Sequence, residues 1–164
     1  MNAMNLFEQC KNECWFELSE GGEELDEVKH LPLSGHICFM KGQVCELLGR
    51  VDQALQAFQD AAHYYRIACG DENLYVASVL HRMGMICSQS DNDALGYFNE
   101  ALSIRKNLLG VNNLRVSETL FSSANVLARL NRYAASMERY HEALRIQMID
   151  NQDSNDVART LTGE

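Results

Sequence analysis

The sequence predicts an all-α chain made of antiparallel helix pairs stacked in series. Three observations carry that reading. Helix breakers are scarce, with one proline, Pro32, and ten glycines in 164 residues, which favours long helices over a sheet with many turns. A two-part motif recurs three times at a period of about 40 residues. Within each copy the small, aromatic and apolar positions fall at i, i+4 and i+7, the spacing of one helix face.

The first copy reads Cys38-Phe-Met-Lys-Gly42-Gln-Val-Cys45, then Ala54-Leu-Gln-Ala-Phe58-Gln-Asp-Ala61. The second reads Leu80-His-Arg-Met-Gly84-Met-Ile-Cys87, then Ala94-Leu-Gly-Tyr-Phe98-Asn-Glu-Ala101. The third reads Leu120-Phe-Ser-Ser-Ala124-Asn-Val-Leu127, then Ser136-Met-Glu-Arg-Tyr140-His-Glu-Ala143. Gly42, Gly84 and Ala124 leave room on the first helix of each pair for a second helix to approach. Phe58, Phe98 and Tyr140, each set between two small residues, are expected to fill the seam between successive pairs. One such pair cannot bury both faces alone, so the pairs must stack.

In chain order, residues 4–19 read as an amphipathic helix, with Leu6, Phe7, Cys10, Cys14 and Leu18 on one side. It serves as a cap or as the second helix of a degenerate earlier repeat, and Gly21-Gly22 ends it. Residues 23–31 form an acidic connector, and Pro32 suits the first turn of the next helix. Helices are then expected over 33–48 and 52–69, 74–89 and 92–109, and 114–130 and 132–149. Gly49, Gly70 and Gly110 stop helices, while Asp52, Asp91 and Asn131 lie near helix starts, where a side-chain oxygen caps free amides. The organisation is therefore 1–31 cap and connector, 32–70 first repeat, 71–110 second, 111–150 third, and 151–164 the truncated start of a fourth.

This pattern resembles the tetratricopeptide repeat, in the longer variety of kinesin light chains. The connectors add to the resemblance: Gly70-Asp-Glu-Asn-Leu-Tyr-Val76 parallels Gly110-Val-Asn-Asn-Leu-Arg-Val116, and Asp150-Asn-Gln-Asp-Ser-Asn-Asp-Val157 follows the same course. The resemblance covers roughly residues 34–161. It lacks the repeat-end proline, has Lys41 and Ser123 where leucine is usual, and has a second copy two residues shorter between Gly84 and Ala94. It implies a right-handed superhelical α-solenoid that binds other proteins and catalyses nothing.

Composition excludes other classes. The formal net charge is −9, and residues 1–34 hold eight acids against Lys11 and Lys29, or −6 of that total. Phosphate contacts come from Lys and Arg, so a nucleic-acid partner is not expected. The N-terminus has no basic start followed by an apolar core, and nothing approaches the apolar length of a membrane span. Six cysteines without a secretion signal read as reduced thiols, which points to a cytoplasmic protein. Cys38, Cys45 and Cys87 sit at packing positions, Cys10 and Cys14 lack a second tight pair, and His36-x-Cys38 projects to two sides of a helix. No metal or cofactor is expected. Cys69 at a helix C-terminus is not activated, and no nucleophile or phosphate-loop motif is present.

The resemblance places a concave groove along the first helices of the pairs. Its expected lining is His36, Phe39, Gln43 and Glu46, then Ser78, His81, Met85 and Ser88, then Glu118, Phe121, Asn125 and Arg129. Phe39, Met85 and Phe121 offer apolar contact, and His81, Gln43, Asn125 and Arg129 offer hydrogen bonds. The lysine with which chaperone-binding relatives hold a C-terminal carboxylate is missing. The first reading is an adaptor or scaffold for a protein or peptide segment, basic by complement to the acidic flank. The others are a self-assembling architectural module, associating through its C-terminal end around Tyr140 and Leu144, and a non-catalytic part of a larger regulatory protein.

Overall fold

The computed structural model describes residues 27–87 and 90–162, and of residues 27–30 and 152–162 the backbone only. The helix expected over 4–19 lies outside the described residues. Those residues form six helices: α1 (Glu27–Leu47), α2 (Val51–Cys69), α3 (Leu74–Ile86), α4 (Asp91–Leu109), α5 (Leu114–Arg129) and α6 (Tyr133–Thr162). No strand occurs among them. The fold class is all-α, made of antiparallel helix pairs. The chain divides into two compact units, Met1–Arg82 and Met83–Glu164.

Turns follow from particular residues. Gly70 and Gly110 end α2 and α4 with φ of +82° and +83°, backbone that side-chain-bearing residues adopt only under strain. Three residues on, Asn73 and Asn113 start the next helix. Asn73 Oδ1 accepts from the Val76 amide at 2.9 Å and Asn113 Oδ1 from the Arg115 amide at 2.9 Å. Ser90 caps α4 by accepting from the Asp93 amide at 3.3 Å. Asp52 and Asp91 therefore sit inside their first turns and not at the caps, where negative charge still favours the helix N-terminus. Asn131 takes positive φ in the last turn, a conformation asparagine tolerates.

Two expectations are overturned. Helix α1 begins at Glu27, so Pro32 lies inside it and not in its first turn. The proline withholds one amide from the ladder, and the acidic stretch before it is partly helical. Helix α6 runs unbroken to Thr162, where a turn was expected after Ile149. The run Asp150-Asn-Gln-Asp-Ser-Asn-Asp contains no glycine, the residue type that stops α2 and α4 at Gly70 and Gly110.

In the first unit α1 packs antiparallel on α2. The ring of Phe58 lies over Gly42 and that of Tyr65 over Gly35: an added Cβ would stand 2.5 Å and 2.9 Å from them. Both glycines and both rings are seven residues apart, so one face of each helix meets the other twice. In the second unit the ring of Phe98 lies over Gly84 at the end of α3, with 2.8 Å for the same added atom. The aromatics thus fill the seam inside each pair and not between pairs, because the missing side chain is on the partner helix of the same hairpin. In the third pair Ala124 replaces glycine and Tyr140 is only half-buried. Serines tie that pair: Ser136 Oγ donates to the Ala124 carbonyl at 2.8 Å and Ser117 Oγ to that of Ala143 at 3.0 Å.

The helix-to-helix junctions also repeat. In the first unit Tyr65 stacks on Tyr75, with ring centroids 4.9 Å apart. Forty residues on, in the second unit, Arg105 Nη1 donates to the Arg115 carbonyl at 2.8 Å and to Thr119 Oγ1 at 2.5 Å. Arg105 is buried, and burial lowers its pKa.

Burial foremost, with Tyr75 beside it, pushes the Tyr65 hydroxyl up to about 12 from its ordinary value of 10. A phenol that ionises late in the fold makes the unfolded chain lose its proton first. Stability is therefore unaffected below pH 10 and falls from there towards pH 12. Denaturant midpoints measured from pH 8 upward are expected to show that decline, and Tyr65→Phe to flatten it. An equal decline in the variant would rule Tyr65 out as its source.

Candidate functional site

The sequence-predicted surface residues that the structure describes sit on α1, α3 and α5, the first helices of the pairs. In the first unit Phe39, Gln43 and Glu46 on α1 are half-buried, as are Ser78 and His81 on α3, while His36 is exposed. Phe39 is not open surface, because its ring packs on Phe58 with centroids 5.6 Å apart. Glu46 meets Arg82 at 3.6 Å, and Ser78 Oγ donates to the carbonyl of Leu74 at 2.8 Å. These three are partly occupied by their own fold.

The second unit presents a more open face. Glu118, Phe121, Asn125 and Arg129 step along α5 at three- and four-residue intervals and all are exposed. Met85 is exposed on the last turn of α3, and Ser88 lies outside the described residues. The Phe121 ring is 50% exposed. It is held edge-on by Tyr140, with centroids 5.4 Å apart, and the Tyr140 hydroxyl donates to Asn125 Oδ1. Arg129 Nε donates to Asp91 Oδ1 at 2.8 Å, and that hydrogen bond raises its pKa.

Tyr140 is the residue that sequence reasoning left off this face. It was assigned to packing by its match to Phe58 and Phe98. The signal for its second role is the change from glycine to alanine at 124: the extra methyl occupies space that the ring enters in the other pairs, and a hydroxyl needs a polar partner.

The packing residues of the motif are placed as follows. Gly42, Ala54, Phe58, Ala61, Gly84, Ala94, Phe98, Ala101, Ala124, Ser136 and Ala143 are all buried. Cys38, Cys45 and Cys87 are buried and in no disulfide, and Cys69 is exposed. No group of three His, Cys, Asp or Glu residues able to hold a metal ion occurs among the described residues. Among them no helix is long and apolar enough to cross a membrane.

Residues 75–148, the second and third pairs, match the family model of the tetratricopeptide repeat. A search of curated proteins finds no match. Among solved structures the chain is similar to BtubC (BKLC) from P. vanneervenii, with a TM-score of 0.67 and 20% identity. That similarity covers 71% of this chain and 48% of the other, so the chain spans about half of that protein's length. At this identity the likeness establishes the fold. The two matched pairs are similar to tetratricopeptide repeats, a family that generally mediates protein–protein interactions and is typically non-catalytic.

Proposed function

We propose that this tetratricopeptide-repeat chain is an adaptor that holds a peptide segment of another protein. The observation that carries the reading is Phe121: a half-exposed ring kept in place by Tyr140, beside an amide that the same tyrosine orients. A buttressed aromatic loses little freedom on binding, which is what makes such residues energetic centres of interfaces. Asn125 retains donors for a peptide backbone, Glu118 flanks the ring, and Met85 adds an adaptable apolar contact in the same unit. The −6 of residues 1–34 favours an uncharged-to-basic peptide.

An array of extended peptides graded from basic to acidic tests this. Basic members are expected to bind, with affinity falling as salt is raised, since surface charge is screened beyond about 8–10 Å at ordinary ionic strength. Phe121→Ala is expected to weaken the best binder by about tenfold or more without lowering the melting temperature much. Tight, salt-independent binding of acidic peptides would overturn the charge reading. Unchanged affinity in Phe121→Ala would remove the ring from the site.

A further inference from the structure

The side of α6 that meets α4 carries a cluster used neither by the packing motif nor by the peptide face. Arg139 is half-buried there, and its Nη2 donates to Asn99 Oδ1 of α4 at 2.8 Å. Glu142, one turn on, accepts from Lys106 Nζ of α4 at 2.9 Å. Arg132 immediately precedes α6 and is exposed. It stands seven residues before Arg139, on the same side of the helix and about 10 Å away along its axis. Helical side chains lean towards the helix N-terminus, which carries the Arg139 guanidinium towards Arg132.

Arg139 Nη1 is buried and has no hydrogen-bond partner among the described residues. A guanidinium nitrogen so placed has given up water and gained nothing in exchange, which costs free energy until a partner arrives. Burial first, and then the charge of Arg132, hold the Arg139 pKa below its ordinary value, with Glu142 acting the other way. Among the described residues neither arginine pairs with a carboxylate: Glu142 is taken by Lys106 and Asp91 by Arg129. Two positive charges are therefore left in excess. The start of α6 adds to them, since its first turn holds no acid and the first amides of a helix have no carbonyl partner within it.

We propose that Arg132 and Arg139 form a binding site for a phosphate group, either free or carried on a side chain of a partner protein. Arg132 is on the surface and swings aside to admit the ligand, which then takes Arg139 Nη1 and the Arg132 fork together. Asn99 keeps the Arg139 guanidinium in place through its other nitrogen. A phosphate dianion matches the two excess charges, and guanidinium forks hold phosphate oxygens in pairs. A carboxylate, with one charge, leaves one arginine unbalanced. The site shares no residue with the peptide-binding reading and stands without it.

Nuclear magnetic resonance titration of the full chain tests the proposal, with the Arg139 Nε–H signal and the Tyr133, Ala134 and Ala135 amides as reporters. Three probes are used: inorganic phosphate, a phosphoserine peptide, and the same peptide with glutamate in place of phosphoserine. Inorganic phosphate is expected to shift these signals saturably, and sodium chloride at equal ionic strength to leave them in place. Arg139→Gln and Arg132→Gln are each expected to weaken phosphate binding by about tenfold or more, with helical content unchanged. Arg132→Gln, at an exposed position, keeps the test open should Arg139→Gln fold poorly. Phosphate is also expected to raise the melting temperature of the native chain and not of the variants. Tighter binding of the phosphoserine peptide than of inorganic phosphate supports the site and assigns it to a partner-borne group; the reverse order supports it and assigns it to the free ion. Shifts that sodium chloride reproduces, or that survive in Arg132→Gln, would mean an adventitious ion only and overturn the proposal. So would a glutamate peptide that binds as tightly as the phosphoserine peptide.

Discussion

Phe58→Ala and Phe98→Ala are each expected to destabilise the chain by about 3–5 kcal/mol, the range for deleting a fully buried ring. The two side chains are 0% and 1% exposed. Each ring lies on a backbone that carries no Cβ at the point of contact, Gly42 for Phe58 and Gly84 for Phe98. Removal therefore leaves a void floored by main chain, and helix backbone cannot collapse into it as side chains can. Tyr140→Ala is the built-in comparison. Its ring is half-exposed and rests on a pair whose approach is already occupied by Ala124, so its loss should be smaller than either. Urea unfolding followed by circular dichroism measures all three. A loss under about 1 kcal/mol for both phenylalanines would mean that the rings do not hold the pairs together.

The helix pairs were legible because their signal is local. Glycine, aromatic and alanine recur at fixed helical offsets, and the Gly70 and Gly110 stops announce themselves by residue type. Less visible was which seam the rings fill. Sequence offset puts Phe58 opposite Gly42 only once the hairpin register is known, and 42 with 58 and 35 with 65 give the same sum only in hindsight. The continuation of α6 was misread for a definable reason. Val157 and Leu161, four apart, suit either a new helix or the same one, and the polar run before them looks like the earlier connectors. The distinguishing feature is that this run contains no glycine. Arg105 carried no motif at all, yet it stands 40 residues after Tyr65, as Arg115 stands 40 after Tyr75. The junction was readable as a position before it was readable as chemistry. Surface readings fared differently again: periodicity puts Phe39 and Phe121 on matching faces, but only packing shows that Phe39 is absorbed by Phe58 while Phe121 remains half in solvent.

Gly42→Leu and Gly84→Leu are expected to cost about 1–3 kcal/mol or more, each by forcing a branched side chain into a packed ring. The alanine variants grade the effect. A Cβ at 42 would stand 2.5 Å from the Phe58 ring and one at 84 would stand 2.8 Å from the Phe98 ring, both closer than atoms can sit without movement. Gly42→Ala should therefore cost at least as much as Gly84→Ala. Gly96, on α4, has nothing within 4 Å of such an atom. There the methyl meets no neighbour and restricts the unfolded chain, so Gly96→Ala should stabilise by about 0.5–1 kcal/mol. Gly70→Ala is a poor neutral control despite its open surroundings, because φ of +82° strains any side chain, at about 1–3 kcal/mol. It nevertheless leaves the core packed, and Gly84→Leu should exceed it. Trimming the opposing ring separates close approach from helix propensity. Phe98→Leu made together with Gly84→Ala should cost less than the sum of the two single changes, since the smaller side chain makes room for the methyl. The third pair already shows this relief, with alanine at 124 and the aromatic turned partly outward. Strict additivity of the pair, with Gly84→Leu no worse than Gly70→Ala, would show that the glycine is not where the helices meet.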